Sequence, residues 1–431
     1  MTVDQGAPAQ TDSTALTPRA VSADEHLDLL TGVEAQGLLE AAVATAGGQV
    51  LSWRARQVDH RPGSATTVSY SATVRWPEGE RQETLGATTA PIQPGDAADR
   101  PGSLTLSDGS ATVRVWRFPL DPALPALAKA VDPGALAALM TSLGVTAAGE
   151  SVSTQVRAYR PGRRAVIEVT APEGRLFLKV VRPGRVAQIH ERHAALHSAG
   201  LPVPKSLGWS DDGIVALQAL NGTPMRPQML GTGPLPSGAA LLSLVQDFPA
   251  EVLHFPRRRS WTDAATHYAN VIGSALPEVA EEASDLSQAI LAGAASATTA
   301  AGGGDEACHG DLYEAQILLD RGRISGLLDI DSFGPGRRAD DLACMIAHAS
   351  VLALMHPHRA QRLETVALDW ATTAERHLSA AELRYRTAGV LLSLATGPHR
   401  VQERNWQANT KARLAQAAHW VRRARDAEGG S

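Results

Sequence analysis

The segment from His309 to Ala343 carries two acids and an amide whose spacing suits metal-assisted phosphoryl chemistry. Asp311 lies on a loop after an apolar Ala-Cys pair, and Gln316 follows at the start of the apolar run Ile-Leu-Leu. Beyond a glycine turn, a second predicted strand leads to Asp329, so a hairpin would return Asp329 beside Gln316. A carboxamide and a carboxylate can then share Mg²⁺, while Asp311 orients or deprotonates an acceptor hydroxyl.

Either acid taken alone would be an ordinary turn or strand-end residue, because aspartate is common in turns. The joint pattern of acid, amide and acid favours phosphoryl transfer.

The bulk composition favours small soluble partners. A chain of 431 residues is longer than a typical domain, and its formal net charge of -5 argues against a nucleic-acid surface. The two cysteines, Cys308 and Cys344, have neither metal-ligand nor disulfide-framework spacing. No signal peptide and no apolar span of about 18 residues is visible. We therefore expect a cytoplasmic protein, monomeric or homodimeric, without membrane or nucleic-acid partners.

Hydropathy patterns predict an α+β chain with a β-rich cap, a mixed sheet lobe and a helical lobe separated by a cleft. The cap pattern is one helix followed by four alternating strands, and we assign no chemistry to its sheet. Its tryptophans, Trp53, Trp76 and Trp116, are expected in the core. The predicted parts are a flexible arm (1–25), a cap (26–118), an intermediate subdomain (119–222) and a helical lobe (223–431).

Two further features are candidates for binding phosphate. The chain has only four lysines among its 40 basic residues, which makes Lys179 on the predicted strand Arg-Leu-Phe-Leu-Lys-Val-Val informative. The basic turn from Arg160 to Arg164 includes Gly162 and Arg163, and its amides and guanidiniums could hold phosphate oxygens. An ordinary basic hairpin is the alternative for this turn.

The motif His309-Gly310-Asp311, then Gln316, then a strand ending in Asp329, then Gly-x4-Asp341-Leu-Ala resembles that of the aminoglycoside phosphotransferase-like kinases. The resemblance covers about residues 153–349 and implies a bilobed, protein-kinase-like fold. Many members have asparagine where this chain has Gln316. Maltokinases and some other members are similar to this chain in having glutamine, which keeps the oxygen ligand.

The resemblance also implies a role for each matched residue. Asp311 would be the catalytic base, His309 would brace its loop, and Asp341 would cap a helix or tie the loop down. The Mg²⁺ ligands would be Gln316 and Asp329, with help from Asp331 on the same face of the strand.

On the nucleotide side, the resemblance assigns Lys179 to the α- and β-phosphates of ATP, with Glu191 as its helix partner. The alternative for Glu191 is an exposed surface acid. The backbone of residues 216–220, including Ala219, would be the hinge against adenine.

The segment 397–414 is the candidate acceptor wall. Gln402, Asn405, Trp406 and Asn409 are spaced to share one helical face, with Glu403 beside them. Amides, an acid and an indole suit a sugar, whereas a polar surface helix with Trp406 anchored in the core is the alternative.

Together with the cap and the His-Gly-Asp-x4-Gln motif, this segment looks like that of the glucosamine kinases related to maltokinases. The expected activity is ATP-dependent 6-phosphorylation of glucosamine, with Asp311 activating the hydroxyl and an acid such as Glu403 selecting the ammonium group. Maltokinase and aminoglycoside kinase are the alternatives within the family. A nucleotide-binding pseudokinase is the alternative of another class, but it should lack one of Lys179, Asp311 or Asp329, and all three are present.

Overall fold

The computed structural model describes residues 23–107, 111–145, 151–172 and 174–428. Its first elements are two short helices, α1 (Ala23–Thr31) and α2 (Ala35–Ala44). The prediction of one continuous helix is wrong, because the chain turns at Gly32 and Val33, two residues of low helix propensity. The predicted arm, residues 1–25, lies almost wholly outside the described residues.

A five-stranded antiparallel sheet follows, and α1 and α2 pack against it. Alternate residues of its second strand, such as Tyr70 and Val74, are buried, as the period of two in the sequence predicts. Its strands are β1 (Gln49–Arg61), β2 (Ala65–Trp76), β3 (Gly79–Thr88), β4 (Ser103–Ser107) and β5 (Thr112–Arg117), in the order β1-β2-β3-β5-β4.

Strand β4 was not predicted, because its Ser-Leu-Thr-Leu-Ser run is short and lies in a region rich in turn residues. Trp76 and Trp116 are buried as expected, and Trp53 is half-buried against Tyr70.

Two helices, α3 (Leu127–Val131) and α4 (Pro133–Ser142), lead into the second sheet. Three successive strands, a helix and a hairpin confirm the predicted order, with strands arranged β6-β7-β8-β10-β9. These elements are β6 (Ser153–Arg160), β7 (Arg164–Ala171), β8 (Gly174–Val181), α5 (Val186–Ser198), β9 (Ser206–Ser210) and β10 (Ile214–Gln218).

The remainder is mainly helical, with two small sheets that carry the segment from His309 to Ala343. The strands are β11 (Thr223–Pro224), β12 (Glu306–Cys308), β13 (Ile317–Asp320), β14 (Arg323–Leu327) and β15 (Gly334–Gly336). The helices are α6 (Met225–Leu230), α7 (Gly238–Gln246), α8 (Ala265–Ala275), α9 (Ala280–Ala300), α10 (Arg338–Met355), α11 (Ala360–Glu375), α12 (Ala380–Leu394), α13 (Gly397–Arg400) and α14 (Trp406–Glu428).

The large hydrophobic core of this lobe centres on α10 and α12, most of whose residues are buried. The architecture is therefore α+β, with a sheet lobe joined to a helical lobe, as predicted. Within the described part of the chain, no helix combines the length and the apolar character needed to cross a bilayer.

Candidate functional site

A cleft of about 1170 Å³ lies between the cap, the second sheet and the helical lobe. Its walls include the end of β1, the turn between β6 and β7, the loop of Asp311, the segment after β14, and the region from α12 to α13. The cleft therefore brings together segments that are more than 300 residues apart in the sequence.

The loop of Asp311 is held by backbone contacts on both sides. The buried carboxylate of Asp341, in the first turn of α10, accepts hydrogen bonds from the amides of His309 (2.7 Å) and Gly310 (2.8 Å). Gly310 has φ +78°, a conformation that favours glycine. The expected tie between Asp341 and the loop is confirmed.

His309 braces the loop from its other side. Its Nε2 lies 2.9 Å from the carbonyl oxygen of Leu328, so this nitrogen carries the proton and donates. Burial lowers the pKa of His309 to about 4, which keeps the ring neutral. The imidazole thus joins the loop to the end of β14.

The Asp311 carboxylate faces the cleft and is partly exposed. Burial raises its pKa to about 6, although the guanidinium of Arg258, 4.0 Å away, acts in the opposite direction. Arg258 also donates to Gly310 O (2.8 Å) and Ser332 Oγ (2.9 Å) and lies over the ring of Trp261. Arg258 was not predicted from the sequence, although the basic run from Arg257 to Arg259 could have marked it.

The predicted hairpin forms between β13 and β14. The amide of Leu328 donates to Gln316 O (2.8 Å), which sets the residues after β14 beside Gln316. The expectation that Asp331 lies on the same strand face as Asp329 is wrong, because β14 ends at Leu327. Asp329 has left-handed backbone geometry (φ +52°), and a 3₁₀ turn brings Asp331 back towards it.

Both carboxylates meet the buried ammonium group of Lys179. Its Nζ lies 2.8 Å from Asp329 Oδ1 and 2.6 Å from Asp331 Oδ1, and Arg164 forms a bidentate pair with Asp329. Burial would lower the pKa of Lys179, but Asp331 and Asp329 outweigh it and raise the pKa. Burial would likewise raise the pKa of Asp329, but Lys179 and Arg164 hold it below its usual range.

The expected pair between Lys179 and Glu191 is not formed. The inward face of α5 carries Val186, Ile189 and His193, whereas Glu191 lies on the exposed side of the helix. Because helical periodicity turns Glu191 outward, Lys179 is neutralised by the two aspartates instead.

The cluster around Asp329 fits a magnesium ion. Its donors are hard carboxylate oxygens, and Asp331 Oδ1 is buried without a hydrogen-bond partner despite its ion pair. Among the described residues, no group of three or more His, Cys, Asp or Glu side chains could hold a metal by itself. Mg²⁺ commonly takes one or two protein carboxylates and completes its shell with phosphates and water. Asp329 and Asp331 would hold the ion, with Gln316 beside them.

The basic turn between β6 and β7 faces the cleft with Arg160, Gly162 and Arg163. Burial, and then the nearby charge of Arg400, lower the pKa of Arg160 to about 10. In the described part of the chain, neither Arg160 nor Arg400 forms an ion pair with an acid. Arg160 thus presents uncompensated positive charge to the cleft, whereas Ala219 follows β10 and is not part of the cleft wall.

The predicted acceptor face is wrong in part. Gln402 and Asn405 precede α14, and Gln402 has φ +53°, so the four residues do not share one helical face. Trp406 packs against the core beside His399, which is the alternative left open by the sequence. The cleft is instead lined by Thr396 and by four other residues of the segment: Gly397, His399, Arg400 and Arg413.

Glu403 does not line the cleft but lies beside residues that do. It accepts a hydrogen bond from Asn409 Nδ2 (2.6 Å) and lies 3.5 Å from a guanidinium nitrogen of Arg413. About a quarter of its side chain (24%) is exposed. Glu403 is therefore tied to a residue of the cleft without being part of its wall.

The cap contributes directly to the cleft, which the sequence analysis did not predict. Asp59, His60 and Arg61 at the end of β1 line it together with Thr67 and Thr88. Asp59 also pairs with Arg163 of the basic turn (2.8 Å). No local motif marks these residues, because their position depends on how the cap docks.

Comparison with known proteins gives one family match. The model of the phosphotransferase enzyme family (APH) matches residues 155–378, more than half of the chain. No curated protein sequence matches the chain.

Solved structures give more distant likenesses. An aminoglycoside phosphotransferase from Streptomyces rimosus is 18% identical, with a TM-score of 0.41, covering 60% of this chain and 97% of that one. A choline/ethanolamine kinase family protein from Mesorhizobium loti is 17% identical, with a TM-score of 0.43, covering 66% of this chain and 94% of that one. A macrolide 2'-phosphotransferase from Brachybacterium faecium is 20% identical, with a TM-score of 0.41, covering 65% of this chain and 97% of that one.

All three TM-scores are below 0.5, so the assignment rests on the family match and on the predicted motif that lies within it. The protein-kinase-like fold expected from that motif is the fold of this family. The chain belongs to the phosphotransferase enzyme family.

Proposed function

We propose that the protein transfers the γ-phosphoryl group of ATP to a hydroxyl group of a small sugar. The observation that carries the proposal is the cleft itself, whose wall includes the Asp311 carboxylate as well as Asp329 and Asp331, the two partners of Lys179. A base and a phosphate-binding cluster in one cleft are the parts that phosphoryl transfer requires.

In this reaction Asp311 accepts the proton of the attacking hydroxyl. His309, Asp341 and Arg258 hold its loop in place, and Arg258 favours the ionised carboxylate. Lys179 and Arg164 are released to phosphate oxygens as the nucleotide enters, because charge-assisted hydrogen bonds can exchange one anion for another. When bound, Mg²⁺ would neutralise charge on the phosphates.

This function corresponds to a proposed division of the chain. Residues 119–222 would bind the nucleotide, with the 216–220 segment as the hinge, and residues 223–431 would supply the catalytic loop and the acceptor wall. Residues 26–118 would form a cap that closes one end of the cleft.

Turnover is expected to fall as the pH is lowered through about 6, because Asp311 must be ionised to accept a proton and burial raises its pKa to about 6. Below that value kcat/KM should drop roughly tenfold per pH unit. The measurement is a pH–rate profile between about pH 5 and 8, with recovery at neutral pH as the control for denaturation. Arg258→Gln should move the midpoint upward, and a flat profile would contradict the assignment of the base.

For the acceptor we propose glucosamine. The support is the likeness of the 402–409 segment to that of glucosamine kinases, and the position of Glu403, which lies beside Arg413 of the cleft wall and has a partly exposed side chain. The cleft wall carries eleven arginines and five aspartates, which disfavours a polycationic aminoglycoside more than an amino sugar with one charge.

An ATP-consumption screen over glucosamine, glucose, maltose and kanamycin tests the acceptor. We expect turnover with glucosamine, detected as its 6-phosphate. Turnover with maltose and none with glucosamine would select the maltokinase alternative, and ATP binding without turnover on any acceptor would favour a pseudokinase.

Replacing Glu403 with glutamine should raise the KM for glucosamine by about tenfold, because the negative charge beside the cleft wall that would attract the ammonium group is removed. The KM for ATP should stay unchanged. Glu364→Gln, an exposed acid on α11, is the control. A KM for glucosamine that is the same in Glu403→Gln and in the wild type would contradict a role of this acid in selecting the amino group.

A further inference from the structure

The turn between β6 and β7 is a tight turn in which the N–H of Gly162 makes no hydrogen bond to the turn itself. The turn's own hydrogen bond runs from Arg163 N to Arg160 O (3.0 Å), with Pro161 and Gly162 in the central positions. Gly162 has φ +67°, as the third residue of a type II turn requires. The N–H of Gly162 is not used within the turn, and this is the group that could otherwise bind a phosphate oxygen.

That amide is already committed to Asp121, in the linker between the cap and α3. Gly162 N donates to Asp121 Oδ2 (2.7 Å), Tyr159 Oη donates to the same oxygen (2.9 Å), and Ala123 N donates to Oδ1 (2.9 Å). Asp121 is fully buried (0% exposed), and no Lys or Arg of the described residues forms an ion pair with it. A buried carboxylate without a cationic partner is costly, so three donors must compensate it.

The same oxygen is connected to the cap. Trp116 Nε1, near the end of β5, donates to Tyr159 Oη (2.8 Å), which in turn donates to Asp121. Trp116 is buried, and the ring of Tyr159 packs edge-on against Phe118. A continuous hydrogen-bonded path therefore runs from the cap sheet to the tip of the phosphate-facing turn.

We propose that Asp121 is a positioning residue for the nucleotide: it fixes the 160–164 turn so that its guanidiniums, rather than the Gly162 amide, meet the phosphates. This inference rests on the proposed function, because it needs ATP in the cleft. Arg160 has no acid partner in the described part of the chain, and Arg164 is held only by Asp329 among the ion pairs described. A fixed turn spares ATP the cost of ordering these side chains.

The test is the full-length Asp121→Asn variant. Asparagine keeps the size of the side chain but turns one acceptor into an NH₂ donor, so at least one of the three donors loses its partner. We expect the KM and the dissociation constant for ATP to rise about tenfold, with the acceptor KM unchanged and kcat less affected. Hydrogen exchange of the Gly162 amide should become faster.

Two further variants make this test specific. Tyr159→Phe keeps the bond between Gly162 and Asp121 but breaks the path to the cap, and we expect a smaller rise in the ATP KM, about threefold. It also carries the test should Asp121→Asn fail to fold. Asp132→Asn changes an exposed helix-capping acid nearby and should leave the ATP KM unchanged, because asparagine caps helices as well as aspartate does.

Calorimetric titration with ATP, without acceptor, separates the two levels of inference. Failure of the wild-type protein to bind ATP would overturn the proposed function. If the wild type binds ATP and Asp121→Asn binds it with the same dissociation constant, the role of Asp121 is overturned. Equal rises in the steady-state KM for ATP and for the acceptor, together with a lower Tm, would also overturn it, because they would mark a purely structural residue.

Discussion

Replacing Asp311 with asparagine is expected to lower kcat by roughly 10²–10⁴-fold, the range that a positioned general base contributes. Asparagine has nearly the same shape and can still accept a hydrogen bond, but it cannot take the hydroxyl proton. The loop should stay in place, because the amides that hold it belong to His309 and Gly310 and bind Asp341. Nucleotide affinity should change little, since Lys179 and Asp329 are untouched.

The measurement is steady-state turnover together with ATP titration of the same protein sample. Asp320→Asn, at the exposed end of β13, is the matched control and should retain full turnover. Turnover of Asp311→Asn within a few-fold of the wild type would overturn the assignment of Asp311 as the base and would direct attention to another cleft residue.

Replacing Asp329 with asparagine is expected to remove most turnover and also to lower stability. Asparagine tolerates the left-handed backbone at this position, so the effect reports on charge and not on backbone strain. Lys179 would keep only Asp331 as an anionic partner, and Arg164 would lose its bidentate partner. The free energy of unfolding should fall by about 1–3 kcal/mol, and kcat/KM for ATP by about 10²-fold or more.

Denaturant unfolding and a magnesium titration of turnover check these two effects separately. Asp331→Asn is the comparison variant, because it leaves both the Lys179 and Arg164 contacts of Asp329 intact. We expect it to be milder in both measurements. Wild-type turnover and an unchanged magnesium requirement in Asp329→Asn would contradict its role at the metal.

The hairpin between Gln316 and Leu328 could be predicted because its signals are local: two apolar runs, a glycine turn and a fixed spacing. The position of Asp331 could not, because it depends on where β14 ends and on the left-handed backbone of Asp329. The prediction that the acceptor residues share one helical face was wrong for a related reason. It assumed that Gln402 and Asn405 are helical, whereas both lie between the end of α13 and the start of α14.

The partner of Lys179 illustrates a different limit. A sequence identifies a lysine on a strand and an acid on the following helix, but not the rotation of that helix. In the structure, α5 buries Ile189 and His193 and leaves Glu191 in solvent. Two acids about 150 positions further along the chain reach Lys179 instead.

The sequence by itself determined the family, the α+β architecture and the motif from His309 to Asp341, because each depends on short-range patterns of residue type. Only the tertiary structure decided that the cap lines the cleft, that Arg258 faces Asp311, and that Asp121 holds the amide of Gly162. These contacts join residues that are 41 or more positions apart. No local pattern encodes them, since they depend on how separately formed sheets and helices pack together.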